Sequence, residues 1–237
     1  MGRLKSLPAR EQLAHPLNAG LIGAWLFNEG SGLMLYDASP SGAHVTVTCA
    51  FPPTNPSWVA GNNGAALHFG TGATNTYGQS TVAVPINPTN FSVAGWISPT
   101  AASAALGRLI EIGDWQAQYV LGIGNGGAGT GFHFGVNGSY TGNIGASVVG
   151  QWSHVVGTWA GAAGGTGTRS LYVDGLLGEA VSGVTTPAAA SVKITMSAYD
   201  ASLNGGYTCN SPISDLRIWN RTLSRDEVNW LRMLTGP

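Results

Sequence analysis

Leu171-Tyr172-Val173-Asp174-Gly175-Leu176-Leu177 sets an Asp-Gly pair between two apolar runs. Both central positions of a type I′ turn need positive φ, which Gly adopts freely and Asp tolerates, and the twist of this turn matches that of antiparallel strands. The stretch therefore predicts a β-hairpin. On either side of it, short runs of β-branched and aromatic residues are punctuated by Gly, Asn, Pro and Ser. Strands are expected over residues 21–27, 43–48, 65–69, 80–84, 91–98, 108–112, 118–123, 131–136, 152–159, 169–173, 191–197 and 213–220. With no helix between them, these runs predict an all-β chain folded as a two-layer antiparallel β-sandwich. The Gly and Ala tracts at 124–129 and 161–167 are expected to be loops.

One short helix is expected near the C-terminus. Ser224-Arg225-Asp226-Glu227 is a capping box, in which the Ser224 hydroxyl accepts from the Glu227 N–H while the Glu227 carboxylate reaches back. Val228, Leu231 and Leu234 then recur at helical spacing, so the helix has one apolar stripe to lay on the sandwich. Just before it, alternation over 213–219 sends Ile213, Asp215, Arg217 and Trp219 to one face and Ser214, Leu216 and Ile218 to the other, with Asp215 able to pair with Arg217.

Composition narrows the function. Of 237 residues 36 are Gly and 12 are Pro; 43% are hydrophobic and only 9% charged, against about 25% in an average soluble domain. That excludes a helical bundle, while 8 Trp, 7 Tyr and 6 Phe supply enough apolar surface to exclude disorder. A net charge of −1 leaves no footprint for nucleic acid or an anionic membrane. No run approaches the roughly 18 uncharged apolar residues of a membrane span, and the start lacks the apolar run of a secretory signal. Residues 1–17 are expected to be an arm, with Arg3, Lys5 and Arg10 against Glu11 leaving a local charge of +2, and residues 18–237 the folded domain. Cys49 and Cys209 are too few for a disulfide scaffold or an all-cysteine zinc site, and a bridge between them stays open.

Six separated segments resemble laminin-G-like, concanavalin A-like lectin/glucanase jelly-roll domains. They are Gly23-Ala24-Trp25-Leu26-Phe27-Asn28-Glu29-Gly30-Ser31-Gly32 with Asp37-Ala38-Ser39, Gly61-Asn62-Asn63-Gly64-Ala65-Ala66-Leu67-His68-Phe69, Phe91-Ser92-Val93-Ala94-Gly95-Trp96-Ile97, Gln151-Trp152-Ser153-His154-Val155-Val156, Leu171-Tyr172-Val173-Asp174-Gly175, and residues 213–224 entering the helix. Their order implies a jelly roll over about residues 20–234. The resemblance also implies a structural Ca²⁺ near the opening Asp-x-Ser segment and the closing strand, held by Asp37 and Asp215 with Glu29 or Asn28 beside them. Such modules occur as secreted adhesive domains and as virion decoration or fibre-associated domains.

Glucanases of this architecture need two carboxylates flanking the sugar bond, and the retaining ones carry Glu-x-Asp-x-x-Glu, which is absent here. The nearest approach is Glu111-Ile112-Gly113-Asp114, whose acids point to opposite faces of a regular strand. No helical His-Glu-x-x-His, phosphate loop or Gly-x-Ser-x-Gly elbow is present. His15, His44, His68, His133 and His154 lack close metal-ligand spacing, and His154 is expected to be a hydrogen-bonded sandwich residue. The expected protein is not an enzyme but a binding or structural module, recognising a glycan or protein surface.

Aromatic rings stack on sugar C–H faces while amides hydrogen-bond hydroxyls. Trp115, Tyr119, Tyr140, Tyr199 and Tyr207 are the candidate contact residues, with Asn125, Asn143 and Asn204 nearby. The low charge and the arm suit packing into a larger particle, with Arg3, Lys5 and Arg10 as assembly contacts and a homo-oligomer as one form of it. The expected location is accordingly virion- or particle-associated, or extracellular by another route, and otherwise cytoplasmic. A free lectin-like adhesion module is the alternative, and a glycoside hydrolase the more distant one.

Overall fold

From the amino end the chain forms β1 (Leu21–Trp25), β2 (Met34–Leu35), β3 (Val45–Thr48), β4 (Ser57–Gly61), β5 (Gly64–His68), β6 (Tyr77–Ser80), β7 (Val84–Ile86), β8 (Asn90–Ile97) and β9 (Gly107–Ile112). There follow β10 (Tyr119–Ile123), β11 (Phe132–Val136), β12 (Ser139–Tyr140), β13 (Ser153–Gly161), β14 (Thr166–Val173), β15 (Leu176–Thr185), β16 (Ala190–Val192), β17 (Ile194–Met196), β18 (Pro212–Trp219) and helix α1 (Arg225–Thr235). The structure, a computed structural model, describes residues 15–49, 56–70, 76–100, 107–114, 116–124, 131–142, 144–145, 148–198 and 208–236. Its strands build two antiparallel sheets that face each other. One runs β15-β14-β13-β8-β18-β5-β4 with β1 also on β18; the other runs β12-β11-β10-β9-β17-β6-β3-β2. A two-stranded ribbon joins β7 to β16.

Alternation decides which side chains enter the space between the sheets. In β3, Val45 and Val47 are buried and Thr46 and Thr48 exposed. Phe91, Val93 and Ile97 of β8 meet Leu121, Phe132 and Phe134 of the opposite sheet in the main core. Gly157 permits their close approach: a Cβ there would lie 2.3 Å from Cδ2 of Phe134. Such interdigitation removes apolar surface from water, which contributes about 25 cal/mol per Å².

The hairpin at Asp174-Gly175 forms as its residues require, with φ of 51° and 82°, and β15 returns along β14. The capping box also forms: Glu227 N–H donates to Ser224 Oγ, and Ser224 N–H donates to Glu227 Oε2 at 2.9 Å. The helix lies on the outer face of the first sheet. There Val228, Leu231 and Leu234 join Leu17, Ala94, Val156, Trp219 and Leu223 in a second, smaller core. Leu17 is anchored by its carbonyl, which accepts from Trp219 Nε1 at 2.6 Å, so its packing begins one residue before the expected domain start.

Three strand expectations change. Ser80 ends β6 rather than beginning a strand, and the ladder resumes only at Val84. The expected strand over 191–197 splits at Lys193 because its halves pair with different partners, β16 with β7 and β17 with β6 and β9. The third change is in β18, where strict alternation fails. Ser214 opposes Trp96 and Arg217 opposes Ala94, so Asp215 and Leu216 together face Gly95 in a β-bulge. Asp215 takes φ 52°, and Ile213 therefore shares the main core with Leu216 and Ile218 instead of facing away from them. The bulge falls where the other neighbour of β18 changes from β5 to β1.

Candidate functional site

Asp37 follows β2 and bridges Trp25 of β1. Its Oδ1 accepts from the N–H groups of Ala24 and Ser39, each at 2.8 Å. Its Oδ2 accepts from the Ser39 hydroxyl, the Ser41 hydroxyl and the Ala43 N–H, at 2.8, 2.6 and 2.8 Å. The carboxylate is thus the hub of its own turn. Ca²⁺ wants converging oxygen ligands, whereas this oxygen pair is ringed by hydrogen-bond donors.

Asp215 is held elsewhere, by the Arg217 guanidinium, with Nε at 2.6 Å and Nη2 at 3.2 Å from its two oxygens. Glu29 Oε1 accepts from the Tyr36 N–H at 2.9 Å. Asp37, Asp215 and Glu29 are not brought together as one cage. Among the described residues no three His, Cys, Asp or Glu side chains cluster as a metal site would need. The arrangement does not fit the expected calcium ion.

His154 is buried beside the Trp96 ring, centroid to centroid 5.0 Å, and burial holds its pKa down at about 3. Its backbone N–H donates to Asp174 Oδ1 at 2.9 Å, and its Nδ1 has no hydrogen-bond partner. Trp96 Nε1 donates to the Thr235 hydroxyl at 2.8 Å, tying the end of α1 to the sheet. Cys209 lies in the main core, not bridged to Cys49, its thiol pushed up to about 12 by burial.

The outward face of the second sheet carries a polar group of its own. Register places Glu111 opposite Val120, and Arg108 and His133 opposite Gly122; all of these alternate away from Tyr119, Leu121 and Ile123 of the core. Arg108 Nε sits 3.3 Å from Glu111 Oε2, with Glu111 0% exposed. Arg108 Nη1 donates to the Tyr140 hydroxyl at 2.9 Å, and His133 meets the Tyr140 ring edge-on at 5.2 Å. Burial, then Arg108, lowers the His133 pKa to about 3. Asp114 is not part of this group: its Oδ1 accepts from the Gln116 N–H in a turn. Each of the two acids has its own partner, Glu111 the Arg108 guanidinium and Asp114 the Gln116 N–H.

Of the five candidate contact aromatics, Tyr140 lies on this outward face. Tyr119 does not lie on a surface at all: it is stacked between Phe91, at 4.1 Å, and Phe134, at 6.4 Å, and is fully buried. The odd-numbered side of β10 faces the opposite sheet, which corrects its expected role. Trp115, Tyr199 and Tyr207 lie outside the described residues, as do Asn125, Asn143, Asn204 and the arm residues Arg3, Lys5 and Arg10.

A different ring surface emerges around the loop between β1 and β2. Tyr36 is 59% exposed, and its ring meets His44 edge-on at 5.4 Å. His44 Nδ1 accepts from the Asp37 N–H at 3.0 Å. Half-buried Trp58 donates through Nε1 to the Gly32 carbonyl at 3.0 Å, closing over the same loop from β4. Leu33 beside it is 50% exposed. Sequence reasoning missed Tyr36 and Trp58. The available signal for Tyr36 was alternation, since it follows Leu35, which is buried, and so turns to the opposite side.

The family model for the concanavalin A-like lectin/glucanases superfamily matches residues 69–229. No curated protein matches. Among solved structures, the botulinum neurotoxin serotype D binding domain is similar at 17% identity and TM-score 0.62, over 91% of this chain and 52% of that one. The binding domain of Paraclostridial Mosquitocidal Protein 1 is similar at 13% identity and TM-score 0.65, over 91% and 52%. Domain 4 of AbnA, a GH43 extracellular arabinanase from Geobacillus stearothermophilus, solved with arabinotriose, is similar at 16% identity and TM-score 0.61, over 90% and 98%. The chain spans about half the length of the two toxin binding domains. At these identities the likeness is one of fold.

Proposed function

Because the chain belongs to the concanavalin A-like lectin/glucanases superfamily, we propose that it is a non-catalytic recognition module that offers its jelly-roll surface to a glycan or a protein. The observation that carries this reading is the state of Glu111. A glycosidase acid must face a second carboxylate across space for the sugar, yet Glu111 is fully buried against Arg108. Taking one partner from a buried ion pair is costly, so this carboxylate serves the sheet. The toxin binding domains and the arabinanase domain with its bound arabinotriose show that the same fold occurs in binding domains.

The proposal extends to setting. The module works as part of a larger particle, with Arg3, Lys5 and Arg10 reaching a neighbour. The body supports this by fixing where the arm departs: Arg221 Nε binds the Ala19 carbonyl at 2.6 Å and Arg221 Nη2 the Pro16 carbonyl at 3.3 Å. The test is a glycan array run beside a reducing-sugar assay, with sizing of the full chain and of a variant bearing Ala at positions 3, 5 and 10. Binding without turnover, and an assembly lost in the triple variant, are expected. Sugar release abolished by Glu111→Gln would overturn the non-catalytic reading, and a monomer in both chains would overturn the particle setting.

A further inference from the structure

We infer that Glu29, Tyr36 and His44, with Trp58 across the loop, form a binding site for an uncharged oligosaccharide. The inference rests on the recognition-module reading and gives it a location and a ligand class. Sugar rings offer three things to a protein: an apolar C–H face, hydroxyl donors and hydroxyl acceptors. Tyr36 supplies the ring, since most of its surface is open. His44 supplies a donor. Its Nδ1 is already accepting from the Asp37 N–H, which puts the proton on Nε2 and leaves that N–H to point elsewhere.

Glu29 supplies the acceptor. Its Oε1 is used by the Tyr36 N–H, while its Oε2 is buried with no hydrogen-bond partner. An unsatisfied buried carboxylate oxygen is costly and a candidate for ligand completion. A small yielding of the loop would let a sugar hydroxyl donate to it. These three groups are contiguous, Glu29 joined to Tyr36 by the backbone bond and Tyr36 to His44 by ring contact. Trp58 borders the loop, its N–H spent on the Gly32 carbonyl and its half-buried ring packed edge-on against Phe27, so it contributes only the part of the ring that the core leaves uncovered. The charge sets the class. A carboxylate beside Tyr36 repels uronates and sialates and leaves a neutral sugar favoured.

The full chain is tested on an array of neutral oligosaccharides (arabinan, galactan, glucan and N-acetylglucosamine oligomers) together with sialylated and uronate-containing ones. Calorimetric titration of the best neutral ligand then follows. Neutral glycans are expected to bind and acidic ones not. Tyr36→Ala and Glu29→Gln should each weaken binding by about tenfold at unchanged melting temperature, with Leu177→Ala, an exposed residue of β15, as the unaffected control. Neutral-glycan binding that survives both variants overturns the site but keeps the recognition reading. Preference for acidic glycans overturns the ligand class. Absence of any glycan binding, with a protein partner still bound, overturns this inference alone.

Discussion

Replacing Asp37 by Ala removes one carboxylate and five hydrogen bonds at once. The size of the loss follows from which donors are left stranded. Ser39 and Ser41 are near solvent and their groups can turn to water. The Ala24 N–H cannot, because that residue is 2% exposed, and the Ala43 N–H, 0% exposed, keeps only the longer 3.3 Å bond to a Ser41 hydroxyl that Asp37 itself holds in place. A buried donor deprived of its acceptor costs about 1–3 kcal/mol, so two of them give a destabilisation of about 4 kcal/mol. For a chain of this length each kcal/mol moves the melting temperature by about 2–4 °C, and the variant should melt about 8–16 °C lower. Asp37→Asn should lose nearly as much, since its NH₂ would face the Ala43 N–H and both hydroxyls. Thermal and urea unfolding of each protein is measured in EDTA and in millimolar Ca²⁺. Equal transitions in the two buffers are expected for the parent chain, because protein donors already occupy the carboxylate. A loss below about 1 kcal/mol, or a calcium-dependent gain in the parent that vanishes in the variant, would refute this account of the loop.

Gly157→Ala should cost about 1–3 kcal/mol by overpacking, since the new Cβ would sit 2.3 Å from an atom of the Phe134 ring; an unchanged urea midpoint would show that the sheets can separate freely there. His133 and His154 both hold pKa values near 3 because burial disfavours their charged forms, whereas the unfolded chain protonates them near the ordinary value of about 6.5. The unfolded state therefore binds more protons between these limits, and stability should fall as pH drops from about 6.5 towards 3; His154→Gln should flatten that slope in pH-dependent denaturation, and an unaltered slope would contradict it. The Glu227 carboxyl is held below its usual pKa, chiefly by the hydrogen bond from Arg221, so its contribution is present above the ordinary carboxylate range and fades as pH falls through the lowered pKa. Glu227→Ala should cost about 1 kcal/mol of cap stability at neutral pH and less at pH 3, as read by circular dichroism.

Local chemistry made the hairpin at Asp174 and the cap at Ser224 legible in the residues themselves. In each, a short stretch carries both the signal and the structure that answers it. Asp215 shows where this stops. Its bulge arises from a change of neighbouring strand, an event more than a hundred residues distant in sequence from β5, and no alternation pattern within 213–219 encodes it. Tyr119 was misplaced for a related reason: a tyrosine beside a Gly-rich loop looks like surface until the register of β10 against β9 and β11 turns it inward. Glu29 was read as a cation ligand from its place in the opening motif. Its carboxylate in fact accepts from the Tyr36 backbone N–H, and loop closure leaves no periodic trace in sequence.

The late position of β18 bears on how the chain is made. This strand sits in the interior of its sheet, between β8 on one flank and β5 and β1 on the other, yet it is synthesised after all three of them. Until it arrives, a nascent chain emerging at about 5–20 residues per second holds β1, β5 and β8 with a gap in the middle and their edges unpaired. Products of premature termination before residue 212 would lack the keystone rather than a trimming, and should be cleared by proteases or held by chaperones instead of accumulating as shortened folded forms.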